Sequence, residues 1–71
     1  MAGENALEEL LTERDVARLI GLSVASVRRW RLNRQGPEYR KFGSAVRYRP
    51  ADLVDWIETR PTGGEHRTEG Q

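Results

Sequence analysis

Apolar positions along the 71 residues fall into two rhythms. Val16, Ala17, Leu19 and Ile20 recur at helical spacing, and so do Val24, Val27 and Trp30. From Tyr39 to Tyr48 the pattern changes to two short β-prone runs, 39–42 and 46–48, on either side of Gly43, Ser44 and Ala45. Helical spacing returns with Leu53, Trp56 and Ile57. The pattern predicts three helices with a hairpin inserted before the last.

Polar punctuation sets the boundaries. Thr12 is placed to cap a first helix that starts at Glu13, Asp15 reaches back as the capping-box acid, and Leu11 and Val16 are spaced as a hydrophobic staple. Gly21 suits the left-handed conformation that ends a helix. Ser23 caps a second helix from Val24 to about Asn33, which Gln35, Gly36 and Pro37 stop, with Gly36 as the expected C-cap. Pro50 opens the third helix, and Asp52 favours its positive dipole end. The caps Thr12 and Ser23 lie eleven residues apart around a short glycine turn. That layout is typical of a helix-turn-helix, whose DNA-binding version lays its second helix in the major groove. The expected fold class is mainly α with a small β-hairpin, a winged helix-turn-helix.

On the second helix, at roughly 100° per residue, Val24, Val27 and Trp30 share a face about 120° wide that must pack on the first helix. Ala25, Ser26, Arg28, Arg29 and Asn33 point elsewhere. A recognition helix needs this division, with small or hydrogen-bonding residues near its N-terminus and arginines that reach phosphates or guanine. For the hairpin, a three-residue loop pairs Phe42 with Val46, Lys41 with Arg47 and Arg40 with Tyr48. Phe42, Val46 and Tyr48 then face the core, while Lys41 and Arg47 lie outside. Like charges directly opposed are destabilising, so this pair points to an external anion such as phosphate, and to the hairpin as a wing. An isolated hairpin is marginal in water and must pack on the helices.

The net charge of +1 conceals a strong polarity. From Ser23 to Arg49 eight basic residues face Glu38 alone, a net of +7, and the rest of the chain carries four basic residues against ten acids, a net of −6. Charge runs are often merely solvated faces. Here the positive block coincides with the expected recognition helix and wing, which favours a polyanionic partner.

Seventy-one residues allow one small domain of modest stability. We expect a flexible acidic leader over 1–9, the winged helix-turn-helix over 10–59 and a disordered polar tail over 60–71. Leu7, Leu10 and Leu11 have helical spacing, either as leucines that close over the core or as a short lead-in helix. There is no cysteine, and the lone histidine, His66, lies in the tail, so disulfides and thiolate zinc sites are excluded and a metal site is not expected. No apolar run approaches a membrane span and the N-terminus lacks the order of a secretory signal; a cytoplasmic location is expected.

Catalysis is not expected either. Asp52, Asp55 and Glu58 have helical spacing but read as a solvated acidic face, since no histidine or cysteine lies near them. Trp30 and Trp56 read as core rather than as base-stacking platforms, each sitting in a run of apolar positions. Tyr39 and Tyr48 are placed to pack their rings and offer a hydroxyl to phosphate. Neither a cofactor nor a small-molecule substrate is implied.

The residues Leu10-Leu11-Thr12, Val16-Ala17, Leu19-Ile20-Gly21, Ser23, Val27-Arg28-Arg29-Trp30, Gly36-Pro37, Arg47-Tyr48-Arg49, Asp52-Leu53 and Trp56-Ile57 resemble the excisionase and AlpA-like group. These are small winged helix-turn-helix proteins related to the MerR DNA-binding domain. The resemblance covers about Leu10 to Ile57. It implies a phage or mobile-element protein that binds double-stranded DNA beside an attachment site, its recognition helix in the major groove and its wing in the adjacent minor groove, several neighbouring copies bending the DNA so that a tyrosine integrase excises rather than integrates. Carried over by position, Ser23, Ala25, Ser26, Arg28 and Arg29 belong to the recognition helix and Lys41, Ser44 and Arg47 to the wing; Arg31 and Asn33 complete the expected DNA-binding set. Two alternatives are a small transcriptional regulator of a phage or integrase promoter, and an adaptor or antitoxin-like module whose basic face binds an acidic protein.

Overall fold

The computed structural model describes residues 7–64. Expectations for the first six residues, for 65–71 and for His66 lie outside the described residues. Three helices, α1 (Glu13–Ile20), α2 (Val24–Leu32) and α3 (Pro50–Glu58), surround a hairpin of β1 (Arg40–Phe42) and β2 (Ala45–Arg47). This is a mainly helical small domain with the architecture of a winged helix-turn-helix.

The first helix forms as its local chemistry dictates. Thr12 Oγ1 accepts from the Asp15 amide at 3.1 Å, and the Thr12 amide donates to Asp15 Oδ2 at 2.9 Å, closing the capping box. Gly21 ends α1 with φ 75°, and the amide of Leu22 reaches back to the Ala17 carbonyl at 2.9 Å. Ser23 caps α2 by accepting from the Ser26 amide at 3.1 Å. Val16, Ala17, Val27, Tyr48 and Leu53 are the buried core, with Leu11, Ile20, Val24, Trp30, Tyr39, Val46 and Trp56 packed against it. Trp30 and Trp56 meet at 4.9 Å between ring centroids, joining α2 to α3, which agrees with their reading as packing residues.

Two local expectations are corrected, and one left open is resolved. Helix α2 is not capped by Gly36. It ends at Leu32, and Arg34 takes the left-handed position, φ 58°, in a Schellman arrangement: Gln35 donates to the Trp30 carbonyl at 2.7 Å and Arg34 to the Arg31 carbonyl at 3.2 Å. Gly36, φ 86°, has another duty, because a Cβ there would lie 2.9 Å from Trp30 Cβ. The backbone must pass directly against the indole. No helix covers 7–11: Leu11 instead exchanges two backbone hydrogen bonds of 2.7 Å with Tyr48, pinning the incoming chain to the base of the hairpin.

The hairpin register is the second correction. Arg40 pairs with Arg47, Lys41 with Val46 and Phe42 with Ala45, one residue away from the expected alignment. Only two residues, Gly43 and Ser44, form the loop, and the positive φ at Gly43 alone, 66°, is the signature of a II′ turn with glycine first. A one-residue change of register moves side chains between faces. Val46 and Tyr48 still face the core, but Phe42 leaves it and is 55% exposed. The like-charged pair is therefore Arg40 with Arg47, and Lys41, expected beside Arg47 on the outer face, lies instead on the face of Val46.

Candidate nucleic-acid interface

Packing of Val24, Val27 and Trp30 inward leaves Ala25, Arg29, Leu32 and Asn33 on the opposite side of α2, all exposed. Arg29 stands near the centre of that outward stripe, with Ala25 one turn before it and Asn33 one turn after. Alanine is the side chain that lets a helix axis approach base edges most closely, and the arginine beside it carries five donors in a planar fork. Leu32, 76% exposed, is an apolar residue on this stripe. At the N-terminal end of α2, Ser23 also donates through Oγ to Ser26 Oγ at 3.1 Å, so both hydroxyls belong to the cap.

Arg28 and Arg31 are held differently. Glu13, the first residue of α1, accepts from Arg28 Nε at 3.1 Å and Nη2 at 2.6 Å, and from Arg31 Nη1 at 3.0 Å. The Arg28 hydrogen bond is the main reason the Glu13 carboxyl is held below its ordinary range, with Arg31 adding to it. Arg31, with a side chain only 19% exposed, lies between Glu13 and Tyr48, so its role in the fold is largely structural. Tyr48 is 1% exposed, and burial pushes its phenol above the ordinary range while Arg31 opposes the shift. Its hydroxyl is enclosed by the protein, contrary to the expectation that it is offered to phosphate; Tyr39, 6.0 Å away between ring centroids, is half-buried.

The wing comes to lie beside this arrangement. Glu13, Arg31, Ser44, Ala45, Val46 and Arg47 line one groove of about 250 Å³, so the fold brings wing and recognition helix to a common edge. Arg47 is half-buried there and donates to its neighbour's carbonyl, that of Val46, at 2.8 Å. Lys41 and Ser44 are exposed. Arg40 and Phe42 are exposed too and were absent from the expected site. The signal that finds them is the dipeptide Gly43-Ser44 itself, which suits a two-residue loop and fixes their face. Arg34, exposed in its left-handed position, was also outside the expected set.

Among the described residues, Arg29, Arg34, Arg40, Lys41 and Arg47 form no ion pair with a carboxylate, whereas Arg28 and Arg31 pair with Glu13, Arg18 with Asp15 and Arg49 with Glu8. Arg14 on α1 and Arg60 after α3 are unpaired as well, so five of the seven unpaired basic residues among the described ones lie on the outer side of α2, the turn after it and the hairpin. No three metal-ligating residues among the described ones are grouped to hold an ion, and no helix there is long and apolar enough to cross a membrane.

A family model for a helix-turn-helix domain matches residues 10–61. The chain belongs to the helix-turn-helix family that covers the excisionase and AlpA-like proteins. No curated protein matches it. Membership indicates DNA binding for this helix-turn-helix protein, in a family that is typically non-enzymatic.

Proposed function

We propose that this helix-turn-helix protein is an excisionase-type recombination directionality factor of a phage or mobile element. Its domain, over 10–59, binds attachment-site DNA in the cytoplasm and bends it, neighbouring copies assembling along the site, so that a tyrosine integrase excises rather than integrates. The observation that carries the reading is the unpaired basic surface shared by α2 and the wing on a fold of this family. Ser23, Ala25, Ser26, Arg28, Arg29, Arg31, Asn33, Lys41, Ser44 and Arg47 are the proposed contact set. Within it Arg29 reads base edges, Lys41 and Arg47 bind phosphates, the α2 N-terminus faces a phosphate, and Arg31 acts by positioning. Arg28 joins by exchanging Glu13 for DNA. The role is architectural, with no catalytic step.

The test is an excision assay with the tyrosine integrase encoded nearest to the gene, on supercoiled DNA carrying both attachment sites. Added protein should raise excision and depress integration. Unchanged recombination together with altered output from the neighbouring promoter would replace this role with transcriptional regulation. Absence of salt-sensitive binding to any duplex would move an adaptor or antitoxin-like role, with an acidic protein partner, to the front.

A further inference from the structure

Phe42 is the one aromatic among the large apolar side chains that the fold leaves exposed in the described residues. The paired register places it on the hairpin face opposite Val46 and Tyr48, with no core residue over it. By alternation it shares that outer face with Arg40 on its own strand and with Arg47 across the ladder. A large apolar ring at a wing tip thus stands beside two guanidinium groups directly opposed across the strands. Opposed like charges weaken a hairpin, and the arrangement makes sense where an anion lies against both. The same two charges disfavour burial of this face against a second copy, which would bring four arginines together.

The mount is stiff. A two-residue loop closes the hairpin immediately after Phe42, and the hairpin base is fixed by the buried Tyr48 ring and its paired hydrogen bonds to Leu11. Proteins that kink DNA from the minor groove insert an apolar side chain between base steps and hold the adjoining phosphates with basic residues. We infer that Phe42 is such a wedge: it enters the minor groove of duplex DNA and parts one base step, while Arg40 and Arg47 hold the phosphates on either side. The inference rests on the DNA-binding reading and assigns its bending to one side chain.

The probe is a duplex of about 30 base pairs, carrying a sequence selected from a random pool by the wild-type protein and labelled at its two ends for energy transfer. Wild-type protein should shorten the end-to-end distance. Phe42→Ala, an exposed substitution that the core does not feel, should bind within about tenfold of wild type, because the cost of unstacking disappears together with the contact. It should nevertheless leave the duplex nearly straight, and Phe42→Leu should restore most of the bend. Arg40→Ala and Arg47→Ala should each flatten the dependence of log K on log salt by about 0.9. Bending by Phe42→Ala equal to that of wild type overturns the wedge, as does a fall in sedimenting mass on Phe42→Ala without DNA, which would make Phe42 a self-association contact. Failure of the wild-type protein to bind any duplex overturns the parent reading instead.

Discussion

Glu13 opens α1 and holds Arg28 of α2, fifteen residues away, through two of the guanidinium nitrogens. The pair is solvent-accessible, with more than half of the Arg28 side chain exposed, so it adds little to stability. Its consequence is positional. The carboxylate occupies Arg28 as a phosphate oxygen would, and a DNA backbone must displace it before Arg28 can act.

Glu13→Gln is therefore expected to release Arg28 for phosphate while still offering an acceptor to Arg31. Duplex binding should tighten, and adding Arg28→Ala on that background should flatten the salt dependence by about 0.9, the value for one lost phosphate contact. A slope unmoved by that second substitution would mean that Arg28 never reaches the DNA.

Acid should weaken the fold through the same carboxylate. The Arg28 and Arg31 hydrogen bonds hold Glu13 below its ordinary 4.5, and the Thr12 amide, followed by Arg18, holds Asp15 below its ordinary 3.8. A depressed folded-state pKa means that the stabilisation is fully present above the unfolded value and is lost as pH falls through the folded one. Thermal midpoints should stay level from pH 7 to about 5 as far as these two groups contribute, then decline below it. In Glu13→Gln with Asp15→Asn that decline should be shallower; an unchanged profile would assign the acid sensitivity to other groups.

Arg34 and Gly36 make opposite predictions within three residues. Arg34→Gly relieves a left-handed conformation that costs a side chain about 1 kcal/mol, and should raise the urea midpoint. Gly36→Ala adds a Cβ to a backbone at φ 86° and drives it into Trp30 at 2.9 Å, so a loss of about 2 kcal/mol or more is expected. Urea unfolding of the two variants in parallel checks both signs.

Arg29→Ala should cost roughly 1–3 kcal/mol on the selected site if the fork grips a guanine edge, and much less on scrambled DNA. Arg29 is exposed, so its loss should leave the thermal midpoint nearly unchanged. Equal losses on both duplexes would make it a phosphate ligand.

The helices were legible in the sequence because their signals are local. A cap at Thr12 acts on Asp15, and Gly21 ends α1 through bonds spanning five residues, so identity and spacing suffice. The stripe of Val24, Val27 and Trp30 likewise orients α2 and leaves Arg29 outward whatever it packs against. The polarity of charge along the chain is a property of composition alone.

Tertiary structure decided the rest, since each remaining feature depends on residues far apart in the chain. The wing register follows from a two-residue loop together with the meeting of Tyr48 and Leu11, and it reversed the face of Phe42. Which arginines face outward unpaired depends on where Glu13 and Glu8 come to lie, because a basic residue reads the same in sequence whether a carboxylate or solvent receives it. Arg34, not Gly36, takes the left-handed position that ends α2, and Gly36 is required instead where the backbone passes against the Trp30 indole. Local propensity chose the elements of this protein, and packing between distant side chains chose which of their faces are left for DNA.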